Sequence, residues 1–463
     1  MKKIVFIAWV IFINEIALVM KSEADFSLYW RSNNYFVSEY RYFNSLDLNK
    51  EARVDRVGNT RSFATMKLHM KPSLSITDRL SFHMGFDVFV NPFSTHAQEG
   101  GALFGEQAPD TINYGPKIDS NLPRALFGSE TGYGRSALTN TNNILVKEGF
   151  LEYVGDWGIF RLGRIPRHWG IGIRYHSGDK PSDKFSDRTD SLFYELGLGS
   201  FKVAAIYSKI SENLLDTNRD DVSLMEGYMH WNDPEKDFDI GGLYSFLKNT
   251  SHFIAHHTLD AYVTKKFSKF SVGVEGAITS GKAGLKADNA AKQLGGAAEI
   301  GYDWTPNLKT IFKTGYASGA DINDNKTLSL FVFNRNYDIG LLMFNQGVGA
   351  IADQTGVSAS SKPDANVISN ALFGNIEAQY RWNDRIGAGV SYAIAQAPKV
   401  LVSDGGKFYG HEGDVQIWYQ FLENLKFQGG GGLFLPGDIY KGGRLSRITD
   451  PAVAGYATVT LSF

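Results

Sequence analysis

The chain has 463 residues, with 47 lysines and arginines against 49 aspartates and glutamates, so its formal net charge is −2 at pH 7. A nucleic-acid-binding protein would carry a basic excess, so the near-neutral charge argues against this class. The mean hydropathy is −0.21, and the one long apolar stretch lies at the N-terminus, which excludes a polytopic helical membrane protein.

The N-terminus has the pattern of a secretory signal peptide over residues 1–24. Two lysines precede an apolar stretch from Ile4 to Ile13, and the small residues Ser22 and Ala24 fit the −3 and −1 positions of a cleavage site. An uncleaved membrane anchor is the alternative, but Glu15 near the middle of a bilayer would cost about 3 kcal/mol. We therefore expect an exported chain.

Apolar and polar residues alternate along the mature chain. The pattern is clearest at 64–71, 80–88, 298–304, 375–381, 414–421 and 453–463. Such alternation is typical of strands with one apolar and one polar face. The last strand ends in Phe463, which resembles the C-terminal signature of Gram-negative outer-membrane β-barrels and implies recognition by the barrel-assembly machinery through this strand.

Short polar connections alternate with long ones throughout. The short turns lie near 77–79, 156–157, 199–200, 233–237, 268–269, 305–307, 383–384 and 423–424. The long connections lie near 44–61, 91–143, 166–190, 211–220, 248–252, 280–292, 318–367, 397–410 and 435–451. This regularity predicts an all-β fold, a single transmembrane antiparallel barrel of about 18 strands over residues 25–463, with short periplasmic turns and long extracellular loops. The alternative, a secreted two-domain β-sandwich, does not explain why short and long connections alternate.

If the apolar face of each strand points to lipid, the polar faces line the lumen. The predicted pore-lining residues are Lys67, His69, Lys71, Asp87, Glu148, Glu152, Lys202, Asp239, Asp260, Glu275, Glu299, Asp303, Lys309, Lys313, Glu377, Arg381 and Asp414. A barrel of this size encloses an aqueous channel, and charges of both signs would tune its selectivity. The alternative for any single residue is an internal salt bridge that braces the wall.

Two motifs carry a family resemblance. The segment from Arg161 to Gly170 and the segment from Tyr316 to Asp321 resemble those of outer-membrane porins of the alginate-export type. The resemblance implies a pore for hydrophilic solutes. An exporter of a polyanion would need a cationic lumen, whereas the predicted lumen has at least as many carboxylates as basic groups, which argues against alginate. Parity also places Arg164 outward, so we expect a bulge or a position above the bilayer there.

The long connection from Ser318 to Ala365 is too apolar for a simple surface loop. We expect it to bend into the barrel mouth as a constriction loop, with Phe331, Phe333, Leu341, Leu342 and Phe344 packed inside. Docking on neighbouring loops or on a second subunit is the alternative.

The function predicted from these features is passive diffusion of small hydrophilic solutes across the outer membrane. A polysaccharide export channel and a surface-display or adhesion barrel with a plugged lumen remain alternatives. The sequence has no G-x-S-x-G, no H-E-x-x-H and no cysteine nucleophile, so no enzyme is predicted. No cofactor or metal is predicted, and the expected partners are outer-membrane lipid, lipopolysaccharide and the solutes.

Four aspartates in the 166–190 connection, Asp179, Asp183, Asp187 and Asp190, alternate with basic residues. The pattern is typical of a solvated loop of mixed charge facing lipopolysaccharide. A bridging divalent cation is the alternative. The run from Asp321 to Asn325 has the oxygen spacing of an EF-hand loop, but Lys326 replaces the required glycine, so a full EF-hand is excluded.

Overall fold

The computed structural model of the protein describes residues 27–30, 34–44, 60–88, 101–105, 144–183, 185–211, 222–249, 254–283, 290–320, 326–345, 367–400, 405–440 and 450–463. The predicted signal peptide and the EF-hand-like run lie outside these residues. Within them, no helix is long and apolar enough to cross a membrane. Two short 3-10 helices are present, Pro234–Lys236 and Asp438–Tyr440.

The remaining regular structure consists of β-strands. In chain order they are β1 Ser27–Trp30, β2 Tyr35–Asn44, β3 Thr60–Met70, β4 Pro72–Ser75, β5 Leu80–Val88, β6 Gly101–Gly105, β7 Ile144–Gly155, β8 Gly158–Pro166, β9 Arg188–Leu198, β10 Phe201–Ser211, β11 Val222–Asp233, β12 Phe238–Asn249, β13 Ile254–Phe267, β14 Phe270–Ala283, β15 Ala290–Asp303, β16 Leu308–Ala317, β17 Thr327–Leu328, β18 Ala371–Arg381, β19 Ile386–Gln396, β20 Phe408–Leu422, β21 Leu425–Pro436 and β22 Ala452–Ser462.

Eighteen of these strands form one closed antiparallel ring. Each strand of the series β2, β3, β5, β7 to β16 and β18 to β22 pairs with the next. The ring closes between β22 and β2, where Tyr35 pairs with Ser462. The predicted 18-strand barrel is confirmed.

The four other segments extend the wall. β4 follows β3 after a break at Lys71 and pairs with both β1 and β5. β6 pairs with β3 beside the β3–β5 contact, and the two-residue β17 pairs in parallel with β15. They lengthen the wall without adding a nineteenth member to the ring.

The two ends of the barrel differ as predicted. The eight expected short turns each join neighbouring strands at one end, and both termini of the ring lie there. The turn between β13 and β14 has only two residues, and Ser268 adopts φ 50° in it. Positive φ angles match the twist of a tight hairpin. The strand ends that lead into the long connections all lie at the other end, here called the long-loop end.

The two faces of the wall also agree with the prediction that apolar side chains point outward and polar ones inward. Outward side chains such as Leu259, Ile278 and Leu294 are 59%, 54% and 50% exposed. Exposed aromatic residues, among them Phe267 and Trp304, gather at the short-turn end. An apolar band with an aromatic girdle is the surface that a transmembrane barrel presents to lipid.

The strand β8 departs from one expectation. It pairs with β7 and β9 without a register shift, so of the two alternatives expected for Arg164 the structure has no bulge. Gly163 of β8 has a φ of 130°, and it pairs in register with Phe150 on β7 and Ser191 on β9. Arg164 points outward at the long-loop end and forms an ion pair with Asp190, which neutralises it.

Candidate functional site

Among the residues that the structure describes, two connections of the long-loop end fold back into the barrel. The first inward loop is residues 167–187, of which residue 184 lies outside the described residues, and the second inward loop is residues 326–345. Fully buried side chains of both, including Ile173, Phe333 and Leu342, form one apolar cluster with inward-facing wall residues. The buried core of this protein therefore lies inside the ring.

The first inward loop is anchored on the wall by carboxylates. Glu275 Oε2 on β14 accepts hydrogen bonds from the backbone N–H groups of Gly172 at 2.9 Å and Ile173 at 3.3 Å. The carboxylate of Glu226 on β11 forms an ion pair with Arg167 of the loop. Both carboxylates are almost fully buried, so each holds the loop in a region of low dielectric.

The second inward loop is anchored in the same way on another part of the wall, formed by β18 and β20. Glu412 on β20 accepts hydrogen bonds from the N–H groups of Leu342 at 2.6 Å and Met343 at 2.5 Å. Asn375 on β18 donates to the carbonyl of Ile339 at 2.7 Å. Backbone groups that would be orphaned in an apolar loop thus find partners on the strands.

The predicted constriction-loop residues lie in this second loop. Phe331, Phe333, Leu342 and Phe344 are buried, and Leu341 packs half-buried against the same cluster. Phe331 occupies the space above Gly295, where a Cβ atom would lie 2.1 Å from the ring. The loop therefore packs inside the barrel, and its role as a constriction stays a prediction.

The two inward loops are also tied to each other. Asn334 donates from its backbone N–H to the carbonyl of Ile173 at 2.7 Å and from its side chain to Asp187 at 2.5 Å. Asn336 and Phe185 exchange two hydrogen bonds, at 3.0 and 2.6 Å. Because of these bonds the loops form one unit.

Burial shifts the titration of groups in the first loop. It raises the pKa of Asp187 well above its ordinary value, although the His176 N–H and Arg167 act in the opposite direction. Burial also lowers the pKa of His176, which the neighbouring Asp183 only partly offsets. His176 Nδ1 accepts the Gly178 N–H at 3.1 Å, a bond that requires the unprotonated nitrogen.

These positions correct the expectation of a solvated, mixed-charge loop. Asp187 is 3% exposed, and Asp179 forms an ion pair with Lys71 and lies 3.8 Å from Arg188. Of the four aspartates, only Asp190, which belongs to β9, faces outward and is exposed. The basic partners come from distant strands, so the spacing of the aspartates alone gave no sign of them.

Several predicted pore-lining residues lie inside the ring but beneath the first loop. His69, Lys71, Asp87, Glu148, Asp260 and Glu275 are each at most 3% exposed, and Lys67 is 5% exposed. They form contacts such as Lys71–Glu148 at 3.5 Å. The Asp87 carboxylate also pairs with Lys147 at 3.1 Å. These residues brace the loop and the wall where they are buried.

Other predicted residues face inward and are more accessible. This group consists of Glu152, Lys202, Asp239, Glu299, Asp303, Lys309 and Arg381. Some of them form ion pairs, for example Glu152 with Arg161 at 2.6 Å and Glu299 with Lys313 at 3.5 Å. Their part in selectivity stays a prediction.

A polar cavity of about 750 Å³ occupies the other side of the lumen. It runs from the short turn after β20 to the two inward loops, which bound it through Lys180–Ser182 and Asp338–Leu341. Three of the predicted pore-lining residues, Lys313, Glu377 and Asp414, lie on its wall. The charged residues around it are Glu39, Arg41, Lys180, Lys313, Asp338, Glu377, Asp414, Glu423 and Lys426.

Sequence reasoning missed part of this lining. Glu39 and Arg41 alternate with outward residues of β2, so the same period of two would have identified them. Extending the Asp414 pattern by two positions would likewise have identified Glu412. Lys147 lies at a register shift between β5 and β7, which no periodicity reveals.

Comparisons of the chain with known proteins place its fold. No protein-family model matches the sequence, and no curated protein matches it. Its structure is similar to OccK9 (OpdG) of Pseudomonas aeruginosa, with a TM-score of 0.55 at 9% identity over 95% of this chain and 99% of that one. A BenF-like porin from Pseudomonas fluorescens Pf-5 gives 0.52 at 8% identity over 95% and 99%. The outer membrane protein OpdK of P. aeruginosa gives 0.51 at 9% identity over 93% and 98%.

These structures cover almost the whole of both chains and have low sequence identity, so the likeness concerns the fold. They do not include an alginate-export porin, and that resemblance stays a prediction. The coarser expectation of a porin-type barrel is confirmed: the chain has the fold of these outer-membrane porins.

Proposed function

We propose that the protein is an outer-membrane channel for passive diffusion of small hydrophilic solutes. The observation that carries this proposal is the polar cavity of about 750 Å³ within a closed ring of 18 strands. A cavity of this size matches the volume of small-molecule sites, about 300–1,000 Å³. Water and hydrophilic solutes fit such a lining better than an apolar ligand does.

The charges around the cavity favour small solutes over a polyanion. Its lining has four basic residues and five acidic ones, so neither sign dominates. A charged polymer would meet both attraction and repulsion along its length, whereas a small solute binds briefly and leaves. One structural neighbour, OpdK, has been solved with vanillate, which supports a small organic solute.

The two inward loops are the proposed selectivity element. They bound the cavity with Lys180 on one side and Asp338 on the other. Because the loops are anchored on different strands of the wall, β14 and β20, and are joined at Asn334, they set the path of a solute past the cavity. The buried ionic residues beneath the first loop hold that geometry.

Planar-bilayer recording of refolded, heat-modifiable protein tests the channel. We expect stepwise conductance, and none from a correctly folded protein would overturn the proposal. A cysteine at Leu341, on the cavity, should let a bulky cationic thiol reagent reduce the current. The matched control is a cysteine at Leu259, which is 59% exposed on the outer wall and should leave the current unchanged.

The joined loops also support a second candidate, a surface-display barrel with a plugged lumen. In that case liposomes containing the protein would show no solute flux while cells expressing it would bind a ligand or another cell. An alginate-type polysaccharide exporter is the third candidate, and loss of a secreted polymer on gene deletion would favour it.

The proposal includes export and membrane insertion. Residues 1–24 would be cleaved as a signal peptide, and N-terminal sequencing of the membrane-inserted protein should begin at Asp25. The C-terminal strand that ends in Phe463 would be recognised by the barrel-assembly machinery. Replacing Phe463 with serine should then reduce the amount of folded barrel in the membrane.

A further inference from the structure

A row of charged residues lies on the outer wall at the long-loop end. It follows a line of residues that pair in register from one strand to the next, here called a rung. Register pairs connect Arg164 to Asp190 and Asp190 to Lys209, across β8, β9 and β10. The same rung continues across Ser223 to Lys248 on β12. A line of register pairs on the outer wall therefore carries a row of charged residues.

The first part of the row is internally neutralised. Arg164 donates to both carboxylate oxygens of Asp190, at 2.9 and 3.0 Å. Such a bidentate pair satisfies the acid and the base together. This part of the wall offers little net charge to a ligand.

The rung continues from Lys248 into a second part, in which the charged residues named here are all lysines. Lys248 pairs in register with Ala255 on β13, and Ala255 pairs with Lys282 on β14. Lys292 on β15 lies one diagonal step away, opposite Ser280. All three lysines are exposed, and among the residues that the structure describes none of them has an acidic partner. We call Lys248, Lys282 and Lys292 the lysine patch.

The spacing brings these charges within reach of one ligand. Lys248 and Lys282 flank a single strand, so their Cα atoms are about 10 Å apart. The diagonal between Lys282 and Lys292 is about 7–8 Å. Like charges this close repel each other unless an anion lies between them. Flexible lysine side chains can converge on groups with several anionic oxygens.

The height of the patch places it at the membrane surface. On β13 the ten residues from Phe267, in the short-turn aromatic girdle, to His257 span about 34 Å along the strand. With the usual strand tilt this is about 26 Å along the membrane normal, close to the full apolar band of a barrel. The lysine patch lies just beyond, where its ammonium groups meet lipid headgroups.

A hydrogen-bond donor accompanies the patch. The Tyr244 hydroxyl lies 2.6 Å from His257 Nδ1, and Phe246 stacks on the same imidazole with ring centroids 4.7 Å apart. When the tyrosine donates to Nδ1, the proton of the neutral ring is on Nε2. His257 then presents an N–H beside the lysines.

A second cluster of the same type provides a contrast. Tyr392 hydrogen-bonds His411 Nδ1, and Phe408 packs on that ring with centroids 4.8 Å apart. The lysine next to it, Lys407, donates to the Pro398 carbonyl at 3.3 Å. The aromatic cluster therefore recurs at the rim, whereas the three lysines accompany only the His257 copy among the described residues.

We propose that the lysine patch and His257 bind the phosphate groups of a phosphorylated glycolipid of the outer leaflet, as in lipopolysaccharide. The proposal rests on the outer-membrane location given under the proposed function. A glycolipid fits because its acyl chains would lie on Leu259, Ile278 and Leu294 directly below, while its phosphates meet the lysines. A free anion would gain nothing from that apolar surface.

Binding of diphosphoryl lipid A to the refolded full-length protein in detergent micelles tests the proposal. Replacing the three lysines of the patch with glutamine should weaken binding by about fivefold per lysine, or about a hundredfold in all. The control replaces Lys236, Lys266 and Lys269, at the short-turn end, and removes the same total charge. It should leave the affinity unchanged, and fully dephosphorylated lipid A should bind the wild type weakly.

Equal affinities of the patch variant and the wild type would overturn the proposal, as would tight binding of the dephosphorylated lipid. Equal losses in the patch and control variants would show attraction by net charge alone and overturn it too. Heat modifiability establishes that each variant is folded. Because the patch is on the outer wall, the patch variant should conduct as the wild type does, so a failure of lipid binding is separate from a failure of the channel.

Discussion

Glu412 is expected to hold the second inward loop in place. This side chain is 1% exposed, and its two oxygens accept the N–H groups of Leu342 and Met343 at 2.6 and 2.5 Å. Truncation to alanine removes both acceptors and leaves two backbone donors inside the barrel. The rest of β20 keeps its register with β19 and β21, so the effect should be confined to the loop.

The size of the effect follows from the two bonds. Leaving a buried donor without its acceptor costs about 1–3 kcal/mol, so orphaning both N–H groups costs about 3 kcal/mol. The ratio of anchored to released loop then falls by about a hundredfold, since 1.4 kcal/mol corresponds to a factor of ten. Asn375 and Asp414 still bind Ile339 and Leu341, so the loop is weakened rather than lost.

The assay combines single-channel recording with thiol labelling of a cysteine at Met343, which is 2% exposed in the wild type. Glu412→Ala should label about a hundredfold faster and give a noisier or larger unit conductance. Glu377→Ala is the matched control, because Glu377 is also an inward carboxylate on the cavity but accepts hydrogen bonds from the wall residues Gln379 and Gln416.

The labelling rates distinguish anchoring from charge. Equal rates in Glu412→Ala and the wild type would refute the reasoning, since the loop would then be held without this carboxylate. An equal increase in Glu377→Ala would also refute it, because any lost negative charge would then have the same effect.

Four further outcomes are expected. Burial keeps the pKa of His176 below its usual 6.5, so the folded first loop loses stability as pH falls below about 6.5; unit conductance should change on acidification, and less so in His176→Gln. Asn334→Ala removes the side-chain hydrogen bond from the second inward loop to Asp187 of the first and should increase current noise, whereas unchanged noise would mean that this bond does not couple the loops. Gly295→Leu forces a side chain into the space of the Phe331 ring and should expose the second loop to added protease without loss of heat modifiability. A cysteine at Asn307 should react with an impermeant maleimide only after the outer membrane is permeabilised, and labelling of intact cells would contradict the orientation.

The wall of the barrel was predictable because its rules are local. Lipid on one side and a polar lumen on the other impose a period of two on every strand, which makes Leu259 outward and Asp260 inward. Turn residues such as Asn307 and Asn383 mark the short connections with equal clarity. Counting such connections was enough to obtain 18 strands.

The interior was less predictable because its contacts are between distant parts of the chain. The apolar residues near Phe333 indicated that their loop needed cover, and this led to the inward position. The first inward loop is polar, so its burial depends on partners such as Lys71 and Asn334, 108 and 147 positions from Asp179 and Asp187. A single sequence does not show which distant charge each aspartate meets.

The seam between β2 and β22 has a consequence for biogenesis. Glu39 and Thr458 hydrogen-bond across it at 3.3 Å although they are 419 positions apart. Until the last strand arrives, β2 and β21 each present a row of unpaired backbone groups, the kind of edge that recruits strands of other chains. Closing so long a loop is slow, because contacts of large sequence separation cost the most entropy before they form. A chain truncated before Ala452 would therefore leave two open edges, and we expect it to aggregate or be degraded rather than to form a smaller barrel.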